Sequence, residues 1–176
     1  MEHEHKQRRF FTFFTMGLGV TLGIAFSANL FTLYIFYEAL TLVTFPLVVH
    51  EGNKEAGYSG RQYLIYSFLG ATLVLLGMIL LFPTIQSFTF TPGGIIENQV
   101  VSNNYLLIIF ILMFLGFGVK AAIFPLYPWL PAAMVAPTPV SSLLHAVAVV
   151  KAGIFALIRL IYFVLGPEVI ENIGGT

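Results

Sequence analysis

The chain has 176 residues, of which 58% are hydrophobic and only 9% charged, with a mean hydropathy of +0.91. A water-soluble domain carries about a quarter charged residues, so this composition excludes a chain that could cover a solvent-facing surface. The formal net charge of +0 gives no basis for nucleic-acid binding, and the absence of cysteine excludes a disulfide framework, an iron–sulfur cluster and a cysteine-type zinc site on this chain.

Residues 1–9 begin the chain with His3, His5, Lys6, Arg8 and Arg9. They have the basic end of a signal peptide, but no short apolar core with an Ala-x-Ala cleavage site follows. The segment reads as a cytoplasmic tail leading into a first span. A helix needs about 20 apolar residues to cross the roughly 30 Å hydrocarbon layer. Segments 10–28, 29–49, 62–82, 105–136 (interrupted) and 139–165 qualify, so about five transmembrane helices are expected, forming one transmembrane domain over 10–165. None shows the period-2 alternation of a membrane strand, and the expected fold is an all-α polytopic membrane protein. The first two spans are separated only by the polar step at Ser27, Ala28 and Asn29, which predicts a tight hairpin.

Orientation follows from the basic loop residues. Lys6, Arg8 and Arg9 precede the first span, and Lys54 and Arg61 lie in the 50–61 connection. The 84–104 connection has no Lys or Arg, nor has the tail 166–176. Alternation then puts the N-terminus in the cytoplasm and the C-terminal tail on the other side. The 84–104 segment, with Pro92, Gly93 and Gly94, reads as an ordinary exposed connection.

Five ionisable residues remain inside apolar spans: Glu38, Lys120, His145, Lys151 and Arg159. A charge near the bilayer centre costs about 3 kcal/mol or more on insertion scales, so such residues pair or line a wet cavity. Glu38 is the only acid within a span, and Tyr34 and Thr41 make a narrow polar stripe with it on one helical face. As structural glue it would be a protonated carboxyl bonding a neighbouring helix. Basic residues in other spans favour an ion-pair partner that tunes a lysine instead.

Lys120 precedes Pro125, Pro128 and Pro131, which cannot all sit in one unbroken helix. Pro125 would leave the carbonyl of Ala121 without its helical donor, directly beside the lysine. Broken helices persist at membrane depth only inside protein or along a water-filled cavity, and transporters build midplane ion sites from them. Snorkelling, which needs a helix end near the interface, is the weaker reading of Lys120.

The last span opens on Thr138 and Pro139, read as an N-cap followed by proline at the first helical position. His145 and Lys151 then lie about 9 Å apart along a continuous helix and roughly 120° around it. They would communicate through water rather than touch, with Ser141 and Ser142 on the His145 side to hold that water. His145 alternatively serves as an interhelical hydrogen bonder, and Arg159 reads as a structural pair or interface anchor. Histidine titrates near neutral pH and can relay between lysines. The buried set therefore suits proton transfer, with a fixed structural role for the charges as the competing reading.

Three stretches together resemble a known family. They are Asn29-Leu-Phe-Thr-Leu-Tyr-Ile-Phe-Tyr-Glu38-Ala-Leu-Thr, Gly116-Phe-Gly-Val-Lys120-Ala-Ala-Ile-Phe-Pro125-Leu-Tyr-Pro-Trp129-Leu-Pro131, and Ala136-Pro-Thr-Pro-Val-Ser-Ser-Leu-Leu-His145-Ala-Val-Ala-Val-Val-Lys151. Their order resembles the antiporter-like membrane subunits shared by respiratory complex I, Mrp-type sodium/proton antiporters and energy-converting membrane-bound hydrogenases. The resemblance implies that Glu38 and Lys120 form the charge pair of a proton channel, that His145 and Lys151 are the connecting relay, and that 124–131 is the helix break. The stretch around Tyr37 to Pro46 is similar in style to the Mrp and hydrogenase branch. Family members have about fourteen helices in two inverted five-helix repeats, of which this chain resembles the first. The resemblance therefore implies an ion-translocating, non-catalytic subunit with no cofactor or metal of its own. It would sit in a bacterial or archaeal energy-transducing membrane, beside other membrane subunits and a chain supplying the second repeat, and would move protons or Na⁺.

Overall fold

The computed structural model describes residues 7–96 and 101–174, so Lys6 and most of the expected cytoplasmic tail lie outside the described residues. Helix α1 spans Gln7–Ala25 and takes Arg8 and Arg9 into its first turn, where a separate tail was expected. Helix α2, Leu30–Val48, starts where the Asn29 side chain accepts the Thr32 N–H at 2.7 Å, satisfying one of the orphan donors of a helix start. The hairpin between them is as tight as the sequence predicts. Gly23 lies so close to α2 that an added Cβ would meet the Phe36 ring at 2.6 Å.

Helix α3, Lys54–Leu81, has 28 residues and is about 42 Å long, longer than the hydrocarbon layer. The expected 50–61 connection is therefore helical from Lys54 onward. The cause is local: Asn53 accepts the Ala56 N–H at 2.7 Å, and Glu55 occupies the first turn, where a negative charge suits the helix dipole. Helix α4, Asn103–Lys120, crosses α3 through paired glycines. A Cβ on Gly116 would lie 2.7 Å from the Gly70 carbonyl, and one on Gly70 would lie 2.7 Å from the Gly116 carbonyl. Small residues at such crossings let membrane helices approach backbone to backbone.

The segment 105–136 is not one interrupted helix. Helix α4 ends at Lys120, with Ala121 as its C-cap, five residues before Pro125. Ala122 adopts the left-handed conformation (φ 54°), with the Ala122 N–H bonded to the Val119 carbonyl and the Ile123 N–H to the Gly118 carbonyl. These two bonds are the Schellman arrangement, here with alanine where glycine is usual. An irregular stretch follows, then the single turn α5, Trp129–Ala132, with Pro131 inside it, and a 3₁₀ turn at Ala133–Val135.

The last span is also segmented. Helix α6, Thr138–Ser142, passes into a π-helical turn at Leu143–Val147, then α7, Val149–Arg159, then a second π turn at Leu160–Leu165. Thr138 is the first helical residue rather than the cap; Pro137 holds the cap position, and no side chain caps it. Helix α8, Pro167–Gly174, buries Val169 and Ile173, one helical turn apart, so the expected C-terminal tail is a helix docked on the bundle.

The 84–104 segment is likewise more than an exposed connection. Residues 85–96 form a strap. Its Phe88 carbonyl and Phe90 N–H pair with Leu30 and Ala28, and its Gly93 and Ile95 N–H groups donate to the Tyr162 and Val164 carbonyls at 3.3 and 2.9 Å. Gly94 passes so near the last span that a Cβ would lie 2.5 Å from the Leu165 carbonyl.

The segments Leu30–Val48, Lys54–Thr84, Asn103–Lys120 and Thr138–Leu165 are each long and apolar enough to cross a membrane. Helix α1 packs beside α2, but the arginines of its first turn shorten its apolar run. The chain is an all-α polytopic integral membrane protein.

Candidate functional site

Glu38 lies midway along α2 and Lys120 at the end of α4, and packing of α2 and α4 around Tyr37 brings them together. Lys120 is 1% exposed, and its Nζ lies 3.6 Å from Glu38 Oε1, whose side chain is 20% exposed. The same ammonium donates to the Tyr37 backbone carbonyl and sits 3.6 Å from the centre of the Tyr37 ring. It also stands in the last turn of α4, the negative end of the helix dipole. A carbonyl, a π face, a dipole and one carboxylate thus compensate a cation that is otherwise expensive at this depth.

Tyr37 is the side chain that sequence reasoning missed. Fully buried, it packs edge-on against Phe117 at 5.2 Å, and its hydroxyl reaches the Gly116 and Phe117 carbonyls at 3.4 and 3.3 Å. Trp129 is the second. Its indole N–H donates to the Val119 carbonyl at 2.7 Å, tying α5 back across the break to the last turn of α4. Both aromatics stand in the quoted motifs, but nothing local in sequence says which carbonyl each will find.

The stripe around Glu38 divides. Tyr34 is half-buried, with its hydroxyl 3.4 Å from the Ala71 carbonyl, whereas the hydroxyl of the buried Thr41 has no hydrogen-bond partner. Glu38 Oε1 is also buried without one, although it faces Lys120. Pro125 and Pro128 lie in the irregular stretch after Lys120, with a cis peptide before Pro125.

The candidates of the last span are not gathered with the pair. His145 stands in the first π turn, where the Ala148 N–H reaches back five residues to the Leu143 carbonyl; its Nε2 is buried and without a partner. The extra residue of that turn invalidates the 120° reckoned for a continuous helix between His145 and Lys151. Lys151 lies on the exposed face of α7, and Ser142 is exposed. Ser141 donates to the Ala136 carbonyl at 3.2 Å, which commits its hydroxyl to the start of α6. Contact between α7 and the pair runs through Gly153, where a Cβ would meet the Lys120 carbonyl carbon at 2.7 Å. Arg159 packs among three rings, 5.0, 5.1 and 4.8 Å from the centres of Phe90, Phe155 and Phe163. It holds the strap to the last span, as a structural anchor would. Among the described residues, no group of three or more histidine and acidic side chains is placed to hold a metal ion.

Apolar spanning helices packed around a Lys120–Glu38 contact define a class of polytopic membrane protein, and comparison with known families gives the class its particulars. Residues 27–173 match the transmembrane family of NADH:quinone oxidoreductases and Mrp antiporters, and the chain belongs to that family. It is 38% identical over 154 residues to a Na⁺/H⁺ antiporter subunit of Alkalihalophilus pseudofirmus, covering 86% of this chain and 19% of that protein. It is 33% identical over 181 residues to the chloroplastic NAD(P)H-quinone oxidoreductase subunit 5 of Dampiera diversifolia, covering 99% and 24%. The chain thus spans about a fifth to a quarter of the length of these relatives.

The fold is similar to a chain of respiratory complex I from Thermus thermophilus, with a TM-score of 0.77, 22% identity, and 94% of this chain and 36% of that one covered. It is also similar to a chain of the membrane-bound sulfane sulfur reductase, an archaeal respiratory membrane complex, with a TM-score of 0.74, 24% identity, and 84% and 30% covered.

Proposed function

We propose that this chain is a proton-translocating half-channel of a multisubunit ion-pumping membrane complex, with Glu38 and Lys120 as its switching pair. The observation that carries the reading is a lysine 1% exposed and 3.6 Å from Glu38, midway along α2. A buried cation persists while a carboxylate stands beside it. Drawing the carboxylate away leaves charge uncompensated in a low dielectric, and the proton then leaves. Changing the Glu38–Lys120 separation thereby loads and releases a proton without any redox chemistry on this chain. The energy comes from a partner redox module or from an opposing Na⁺ or H⁺ gradient.

His145 and Lys151 then carry the proton onward toward a second half-channel supplied by a neighbouring membrane subunit. The unpartnered His145 nitrogen and the exposed Lys151 suit groups that meet water or another chain. The setting is a bacterial or archaeal energy-transducing membrane with the Lys54 and Arg61 end in the cytoplasm. A fixed structural pair is the second reading, favoured by the Tyr37 carbonyl and ring that hold the ammonium in place.

Proton uptake by membrane vesicles containing the intact complex separates the two. Under the channel reading, Glu38→Gln and Lys120→Met each abolish uptake while the complex remains assembled. Uptake at the parental rate in both variants refutes it and leaves the structural role.

A further inference from the structure

Buried hydroxyls line the contact between α2 and α3 from their connecting end to the ion pair. On α2, Thr41 and Thr44 stand one turn apart and are fully buried; on α3, Ser59, Tyr63 and Ser67 repeat every four residues and are 3% exposed or less. The two faces meet where Thr44 Oγ1 and the Tyr63 hydroxyl lie 2.7 Å apart. Thr44 donates its own proton to the Leu40 carbonyl at 2.6 Å, so the Tyr63 phenol is the donor between them. Thr41 lies one turn along α2 from Thr44, and Ser67 one turn along α3 from Tyr63, so both stand on the faces that meet there. Beyond the phenol come the two buried oxygens without hydrogen-bond partners, Thr41 Oγ1 and Glu38 Oε1. They lie on adjacent positions of one helix face, about 5–6 Å apart at Cβ.

Unsatisfied buried oxygens grouped in this way are the environment that holds an ordered water, which needs two to four polar partners. We infer that a water bound between Thr41, Tyr63 and Glu38 completes a proton-access path from the α2–α3 connection to Glu38, an inference that rests on the proton-channel reading above. The distances suit it: Thr44 lies about 9 Å from Glu38 along α2, and Ser59 about 6 Å from Tyr63 along α3. The path opens beside Lys54 and Arg61, at the polar start of α3. In the transfer, the phenol turns from Thr44 to the water and gives it a proton as the water protonates the Glu38 carboxylate. The phenol then regains a proton from the Ser59 side, and Ser59 is reprotonated by water at the α2–α3 connection, where the path opens. One proton moves inward and no other bond changes. Thr41 and Thr44 are positioning residues that hold the water and the phenol.

The test uses the intact complex in membrane vesicles, with uptake expressed per assembled complex. The inference expects Tyr63→Phe and Thr41→Val each to slow proton uptake by roughly ten-fold or more, and Thr41→Ser, which keeps the hydroxyl, to restore it. Where Tyr63→Phe prevents assembly, the contrast between Thr41→Val and Thr41→Ser decides. Parental rates in Tyr63→Phe and Thr41→Val, with Glu38→Gln inactive, overturn the path and leave the channel reading standing. Parental rates in Glu38→Gln as well overturn both. Equal loss in Thr41→Val and Thr41→Ser reduces the hydroxyls to packing and also overturns the path.

Discussion

Neutralising Glu38 tests the central contact in energetic terms. At 3.6 Å, opposite unit charges attract by about 4–5 kcal/mol at an effective dielectric near 20. Removing one partner of a buried pair costs about 3–5 kcal/mol, because the remaining charge is left uncompensated. Lys120 keeps the Tyr37 carbonyl and ring, and Glu38 is 20% exposed, so the loss for Glu38→Gln falls at the lower end, about 3 kcal/mol. Lys120→Met removes the deeper charge and leaves a carboxyl that reaches water, costing about 1 kcal/mol. With both replaced no charge is buried, and the double variant should lie within about 1 kcal/mol of the parent. The coupling between the sites is therefore about 3 kcal/mol, well above the scatter of independent sites.

The assay is denaturation in detergent micelles followed by the fluorescence of the one tryptophan. That residue, Trp129, is buried and bonded to the Val119 carbonyl beside the pair, so it reports on this part of the bundle. A double variant whose loss equals the sum of the single losses would show that the two side chains are neighbours without interaction, and would refute the reasoning.

Two further outcomes follow from packing. Gly116→Ala forces apart a crossing in which the new Cβ meets backbone atoms of α3 at 2.7 and 2.9 Å, and should cost about 1–3 kcal/mol; Gly57→Ala, with nothing within 4 Å, should be harmless in the same denaturation assay. Arg159→Leu removes a cation held by three rings, each such contact contributing about 0.5–1 kcal/mol. The strap amides of Gly93 and Ile95 should then exchange with deuterium roughly ten-fold faster, and unchanged exchange would remove Arg159 as the anchor of the strap.

Much of the site was legible because membrane cost makes buried charge conspicuous. Glu38 and Lys120 stood out as ionisable residues within apolar runs, and the structure sets them 3.6 Å apart. The start of α3 was legible in principle from Asn53 followed by Glu55, a capping signal that the charge count of the 50–61 segment obscured. The end of α4 was not. Proline is the obvious breaker in that stretch, but the helix stops earlier, at an alanine in a left-handed conformation that alanine does not advertise. The π turns were equally hidden, since they shift register by one residue without changing composition.

The sequence by itself determined that this chain lives in a membrane, that its elements are helices, and that an acid and a lysine lie buried among them. Apolar length and charge depletion are local properties that the lipid enforces on each segment separately. Only the tertiary structure decided that Tyr37 lends both its carbonyl and its ring to Lys120, that Trp129 bridges the broken helix, and that Lys151 faces outward. It alone joined the hydroxyls of Thr44 and Tyr63 into one seam. Each of these depends on which donors and acceptors from distant segments meet at the same depth. With no water in the hydrocarbon to satisfy them otherwise, that matching is settled by helix packing, not by the residues on either side.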